Sequence, residues 1–207
     1  TLFVHAGYAL ALSNRWQATP EEQRLADPEI LAAMHDLDRI PKDTAWSIER
    51  SFFPSLIERG ETFVAYVYDG YWIDIGTPAK YLQVHKDIMD GRYSAPPFVG
   101  AANTAFVAEG ARIEADVEMQ GPCFVDEGAV VKTGARVLPY SVIGRQTHVE
   151  EAAVIENSII WPNGWIAREA HFSGAILGRN CHIGRNVVVS TGAVLGDKTA
   201  VTDYSKL

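Results

Sequence analysis

A chain of 207 residues that is 47% hydrophobic and 21% charged has apolar side chain enough for a packed core, and its composition lies far from that of disordered chains. With 18 Lys and Arg against 26 Asp and Glu, its formal net charge is −8; no basic cluster occurs, which excludes a nucleic-acid partner, because such surfaces neutralise phosphates with a basic stripe. The longest stretch without Asp, Glu, Lys or Arg, 93–108, contains Pro96-Pro97 and is too short to span a membrane.

The first dozen residues, TLFVHAGYALAL, are apolar with no basic residue ahead of them, so no signal peptide is expected. A chain that starts at Thr1 inside an apolar run is expected to be cut rather than begun. Two cysteines, Cys123 and Cys181, are too few for a disulfide framework and match no zinc spacing, which points to a reduced, cytoplasmic setting.

Helix starts are predicted at Thr19-Pro20-Glu21-Glu22, which has capping-box spacing, and at Asp27-Pro28-Glu29. GETFVAYVYDGYWIDI predicts a hairpin, two alternating runs joined by Asp69-Gly70. Thr77-Pro78 then predicts an N-cap with proline at the first helical position. Tyr81, Leu82, Val84, His85, Ile88 and Met89 form the apolar face, and Gly91 closes the helix. SAPPFVGAAN, 94–103, is predicted to be a linker between residues 1–93 and 104–207.

Beyond the linker, Val107, Ile113, Met119, Val125, Val131, Val137, Ile143, Val149 and Ile155 recur every six residues. Nine aliphatic residues in one frame have a chance probability of order 10⁻⁵ to 10⁻⁶ at average composition. Four residues after each stands a mostly small residue, from Ala111 through Cys123 and Ala153 to Ile159. The frame slips between Trp161 and Phe172, where a protruding loop or irregular coil is expected, and resumes at Leu177, Ile183, Val189, Leu195 and Val201. A hexapeptide period predicts a parallel β-helix of triangular section, the aliphatic residue inside and the small one at the corner, with Gly144, Gly178, Gly184 and Gly196 at the turns. Both cysteines fall at the small position and are expected to be packing residues. Faces carrying Val130, Val142 and Val154 invite assembly, so a homo-oligomer is expected.

GYWIDIGTPAKYLQVHKDIMDG, 70–91, resembles the end of the catalytic domain of the sugar nucleotidyltransferases, and most closely the mannose-1-phosphate guanylyltransferase and NDP-sugar synthase group. SIERSFFPSLIERG, 47–60, resembles the segment just upstream, and the hexapeptide repeat resembles the family's C-terminal appendage. The three stand in the family's order. The resemblance implies an α/β fragment in 1–93, the C-terminal part of the catalytic domain, followed in 104–207 by a left-handed parallel β-helix, the handedness being taken from the family.

It also implies transfer of a nucleotidyl group from an NTP, GTP by the closest likeness, to a sugar 1-phosphate, with release of pyrophosphate and Mg²⁺ as cofactor. GDP-mannose is the implied product. Asp74 would be a metal ligand, and its place before Gly76 and a helix N-terminus that favours anions suits that job. Glu49, in the S-x-E-x-x-x-F-P segment, would meet the sugar, although a helix N-terminal Glu is favoured by the dipole alone. His5-Ala6-Gly7 resembles a sugar-contacting Asn-Ala-Gly turn, which makes Gly7 a candidate beside Gly76. The family's G-x-G-T-R-L loop, first metal Asp and Glu-Lys-Pro segment have no counterpart in the 207 residues, so the chain alone is expected to be inactive. Two alternatives stand beside this one. The first is a hexapeptide acyltransferase using a His base, with His171, in the slipped region beside Trp161 and Trp165, ahead of His148 and His182. The second is a non-catalytic regulatory or oligomerisation module.

Overall fold

The structure, a computed structural model, describes residues 41, 43–61, 69–98 and 103–207. The chain divides into two compact units, Thr1–Gly70 and Tyr71–Leu207. The predicted helix starts at Thr19 and Asp27, the first hairpin arm, Gly7 and part of the 94–103 linker lie outside the described residues.

In the first unit, a π-helical turn, Ile48–Phe52, runs into α1, Phe53–Glu58. Ser47 caps the turn, its hydroxyl accepting from the Arg50 amide at 3.1 Å. Pro54 stands in the first turn of α1, where no intrahelical donor is lost. Phe52 and Leu56 are buried.

The second unit begins with Tyr71–Gly76, which belongs to no strand or helix. The predicted second hairpin arm is thus a strap, and its first residue is hydrogen-bonded to the following helix. That helix, α2, Pro78–Met89, follows the sequence expectation: the Thr77 hydroxyl accepts from the Lys80 amide at 3.3 Å, Pro78 is its first residue, and Gly91 takes φ +77°. A left-handed residue just past a helix end is where glycine costs least.

Residues 105–201 form a left-handed parallel β-helix of seventeen strands in three sheets. Sheet A contains β1 (Ala105–Val107), β4 (Cys123–Val125), β7 (Ser141–Ile143), β10 (Ile159–Ile160), β13 (Ile176–Leu177) and β16 (Val194–Leu195). Sheet B contains β2 (Arg112–Ile113), β5 (Val130–Val131), β8 (His148–Val149), β11 (Trp165–Ile166), β14 (His182–Ile183) and β17 (Ala200–Val201). Sheet C contains β3 (Glu118–Met119), β6 (Arg136–Val137), β9 (Val154–Glu156), β12 (His171–Ser173) and β15 (Val188–Val189). Each strand pairs in parallel with the third one on, so three strands make one coil.

The interior explains the period. Val125, Val131, Val137, Ile143, Val149, Ile155, Ile160, Ile166, Phe172, Leu177 and Ile183 are all fully buried. Small residues, among them Cys123, Ala129, Ala135, Ser141, Ala153 and Ala170, fill the crowded corners at 0% exposure. Cys181 joins them, and both cysteines are free and buried, as packing residues should be.

The region from 157 to 175 is neither loop nor irregular coil. Two corners between sheets C and A, at Asn157 (φ +45°) and Gly174 (φ +64°), are one residue shorter than their counterparts. Val142 pairs with Ile159 and Ile159 with Ile176, 17 residues apart, where Phe124 and Val142 are 18 apart. The inward frame therefore continues through Ile160, Ile166 and Phe172, and Ser158 takes the small position expected of Ile159. Its hydroxyl completes the tight corner, donating to the Glu156 carbonyl (2.7 Å) and accepting from the Ala175 amide (3.1 Å). Ile159 faces outward instead.

One further expectation changes with the three-sheet geometry. Val130, Val142 and Val154 are 12 residues apart in sequence and lie on sheets B, A and C, one per face, so they form no common surface. Gly144 and Gly178 stand at corners, as expected, and close approach is what requires glycine there: a Cβ on either would stand 2.7 Å from backbone of the next coil. The left-handed residues are others, one at most corners, including Gly134, Ala152, Asn163, Glu169 and Asn186. Opposite charges one coil apart pair along the outside: Arg136–Glu118 at 2.6 Å, Lys132–Glu150 at 2.8 Å and Arg185–Asp203 at 2.6 Å.

Candidate functional site

Each face of the β-helix carries different outward chemistry. Sheet A presents Phe106, Phe124, Val142 and Ile159, an apolar row, and α2 lies on it. Phe98 packs against Phe106 and Phe124, whose rings stack 5.5 Å apart. The Tyr140 hydroxyl donates to Asp90 at 3.1 Å, the Lys86 ammonium stands 5.2 Å over the Tyr140 ring, and the Asn103 amide donates to the Met89 carbonyl. The helix is thereby fixed at its C-terminal end.

Toward its N-terminal end α2 and sheet A bound an open groove of about 280 Å³, lined by Tyr81, His85, Asp126, Trp161 and Arg179 among others. The Tyr81 ring meets Trp161 edge-on (6.3 Å) and His85 likewise (4.8 Å), and the Arg179 guanidinium lies 4.9 Å over Trp161. Burial holds the His85 imidazolium below its usual range. The buried Trp161 Nε1 donor has no partner among the described residues.

The strap preceding α2 carries Asp74. Its carboxylate is exposed, and Gly76 lies beside it, where a Cβ would make ordinary contact with both Asp74 oxygens at 3.6 Å. Tyr71 anchors the strap: its hydroxyl donates to Asp87 Oδ2 at 2.7 Å and its ring lies 5.2 Å from that of Tyr93. Asp87 is 5% exposed and also accepts from Gln83 Nε2 (2.8 Å) and Arg92 (3.2 Å). Burial alone would raise its carboxyl, and the Tyr71, Gln83 and Arg92 hydrogen bonds outweigh that, holding it below the usual carboxylate range. Partial burial, then the hydrogen bond to Asp87, push the Tyr71 phenol up to about 12.

Among the described residues no group of three or more His, Cys, Asp or Glu side chains converges as a metal site. A single exposed carboxylate does suit Mg²⁺, which binds through one or two carboxylates, substrate phosphates and water rather than in an all-protein cage. Glu49 stands exposed in the first turn after its Ser47 cap, in the Thr1–Gly70 unit. His171 is outward on β12 in sheet C, between Val154 and Val188, and Trp165 belongs to sheet B. The histidines beside Trp165 are His148 (5.1 Å) and His182 (6.3 Å), in a stacked ladder.

Sequence reasoning did not single out the Asp87–Tyr71 pair. The available signal was a carboxylate within the apolar face of a helix, four residues after Gln83. The Trp161–Arg179 stack was equally readable once one coil was known to span 17 or 18 residues.

Residues 119–206 match the family described as the GMPPB C-terminal domain. A mannose-1-phosphate guanylyltransferase of Mycobacterium tuberculosis is 33% identical over 121 residues, covering 58% of this chain and 33% of that protein. A probable mannose-1-phosphate guanylyltransferase 2 of Oryza sativa subsp. japonica is 31% identical, covering 78% and 46%. A UTP–glucose-1-phosphate uridylyltransferase of Synechocystis sp. is 25% identical, covering 86% and 44%. Among solved structures, the acetyltransferase domain of PglB from Neisseria gonorrhoeae FA1090 overlays with a TM-score of 0.32 at 12% identity over 65% of each chain, too distant to bear on function. The chain spans less than half the length of these curated relatives. No helix among the described residues is long and apolar enough to cross a membrane. The chain thus carries a C-terminal hexapeptide-repeat left-handed β-helix domain related to the sugar nucleotidyltransferase and guanylyltransferase family.

Proposed function

We propose that the complete protein makes an NDP-sugar, with GTP and mannose 1-phosphate as substrates, and that this chain contributes one metal-contacting carboxylate and the β-helix without turning over alone. The observation that carries the reading is Asp74: an exposed carboxylate on a strap leading into a capped helix, within the family-like segment 70–91. The recurrence of guanylyltransferases among the relatives supports the base and sugar.

In the proposed reaction a phosphate oxygen of the sugar 1-phosphate attacks the α-phosphorus of the NTP. The bond to the bridging oxygen breaks, and pyrophosphate leaves with that electron pair. Bound Mg²⁺ would neutralise phosphate charge and align the attack. The exposed Asp74 carboxylate would be this chain's contact to the cation, with Gly76 beside it. Glu49, by the likeness of its segment, would meet the sugar. Assembly of copies through the β-helix belongs to the same reading, and light scattering that gives a monomer for the complete protein counts against it.

The test is Asp74→Asn in the complete protein. The expected result is a fall in kcat of about 10²-fold or more, with circular dichroism unchanged and no pyrophosphorolysis by the isolated 207-residue chain. Turnover by the isolated chain, or an unimpaired Asp74→Asn enzyme, overturns the reading.

A further inference from the structure

The carboxylate of Asp87 has no role in the chemistry just described, yet it is almost wholly buried and takes three side-chain donors. Removing an ionised carboxylate from water is costly, and an apolar side chain at the same place in a helix would bury without that cost. What an apolar residue cannot do is hold a phenol by its hydroxyl. Tyr71 is so held, at 2.7 Å, and it is the first residue of the strap that carries Asp74.

The other end of the strap is fixed as well. Thr77 is the N-cap of α2, while Asp87 lies near the helix C-terminus. Ten residues of helix rise about 15 Å, and the six-residue path from Tyr71 to Thr77 reaches about 20 Å at full extension. A strap tied to the same helix at both ends is confined to the surface of that helix, and Asp74 stands at its middle. The strap draws little other support from burial: Trp72 is 79% and Ile75 50% exposed.

We propose that Asp87 is a positioning residue: through the Tyr71 hydroxyl it fixes the 71–76 strap along α2 and so sets where the Asp74 carboxylate stands. Because α2 is in turn fixed on sheet A by Phe98, Tyr140 and Tyr81, the β-helix is the rigid body from which this carboxylate is held. The inference rests on the reading of Asp74 as a metal contact.

Tyr71→Phe removes one hydroxyl and keeps the ring on Tyr93, and Asp87→Asn keeps the shape of the acceptor. In the 207-residue chain, backbone ¹⁵N order parameters for residues 72–76 are expected to fall from the rigid range, about 0.85, to below about 0.6 in both variants, with the β-helix strands unchanged. In the complete enzyme, both variants are expected to need at least about fivefold more Mg²⁺ for half-maximal rate, with the rate recovered at excess Mg²⁺. Order parameters that stay rigid, or a Mg²⁺ requirement that does not move, overturn the proposal. A silent Asp74→Asn removes the reading of Asp74 itself. A crippled Asp74→Asn beside silent Tyr71→Phe and Asp87→Asn overturns the positioning role alone.

Discussion

Two parts of the second unit are held together in opposite ways. Inside the β-helix the same position is filled by an aliphatic or aromatic side chain in coil after coil, and each coil rests only on its neighbours. Residues 71–98 repeat nothing: one carboxylate, one phenol and one cap define the strap and α2. Distributed packing makes each contact replaceable in kind, and a one-off network makes each member irreplaceable in position. The largest energies should therefore lie in the first region and the largest functional consequences in the second.

Phe172 tests the first half of that contrast. It is the largest fully buried side chain among the described residues and pairs with Ile155 and Val189 in the neighbouring coils. Phe172→Ala should cost about 3–5 kcal/mol in urea denaturation, the lost transfer energy plus the cavity. A loss below about 1 kcal/mol would mean that the coils close on themselves, and the contrast would break.

The two regions also differ in how far the sequence discloses them. Period six exposes the β-helix because the inward residue and the small corner residue obey one geometry at every turn. The α2 caps are legible for a similar reason: Thr77-Pro78 and Gly91 act on their own backbone. The frame slips between Trp161 and Phe172 only because two corners, at Asn157 and Gly174, drop one residue each, and these two residues, both tolerant of positive φ, are the local marks of it. The pairing of Tyr71 with Asp87 leaves no such mark, since a hydrogen bond across 16 residues follows from how the strap lies on the helix. For the same reason Asp74 came from motif resemblance, whereas its tether became visible only in three dimensions.

Asp87 sharpens the contrast from the other side. Its carboxyl is held below the usual range in the folded chain, so its contribution is fully present above the unfolded value, about 4, and is lost as pH falls through the folded value. At pH 7, Asp87→Asn should be less stable than the parent by about 1–3 kcal/mol, the cost of disturbing a buried acceptor. Below pH 4 the gap should narrow as the parent carboxyl takes its own proton. Urea midpoints for both proteins from pH 7 to pH 3 decide it. A gap that stays constant would mean that the site works by shape and carries no ionised clamp.

The smallest effect belongs to the corners, where repetition allows a comparison within one molecule. Gly134 and Ala152 occupy the same corner in successive coils, at φ +68° and +55°, and the Ala152 amide donates to the Thr133 carbonyl across the step. An L-residue in the left-handed region is disfavoured by about 1–2 kcal/mol, while glycine loses about 0.4–1 kcal/mol more chain entropy on folding. Ala152→Gly should therefore stabilise slightly, by at most about 1.6 kcal/mol, and Gly134→Ala should destabilise by a similar amount, its new methyl making only ordinary contact with the Ala152 amide at 3.9 Å. Opposite signs in paired thermal melts would show that the corner conformation, rather than the residue found there, is what the coil imposes. Equal signs would mean that the two corners are not equivalent and that the β-helix is less uniform than its hydrogen bonding.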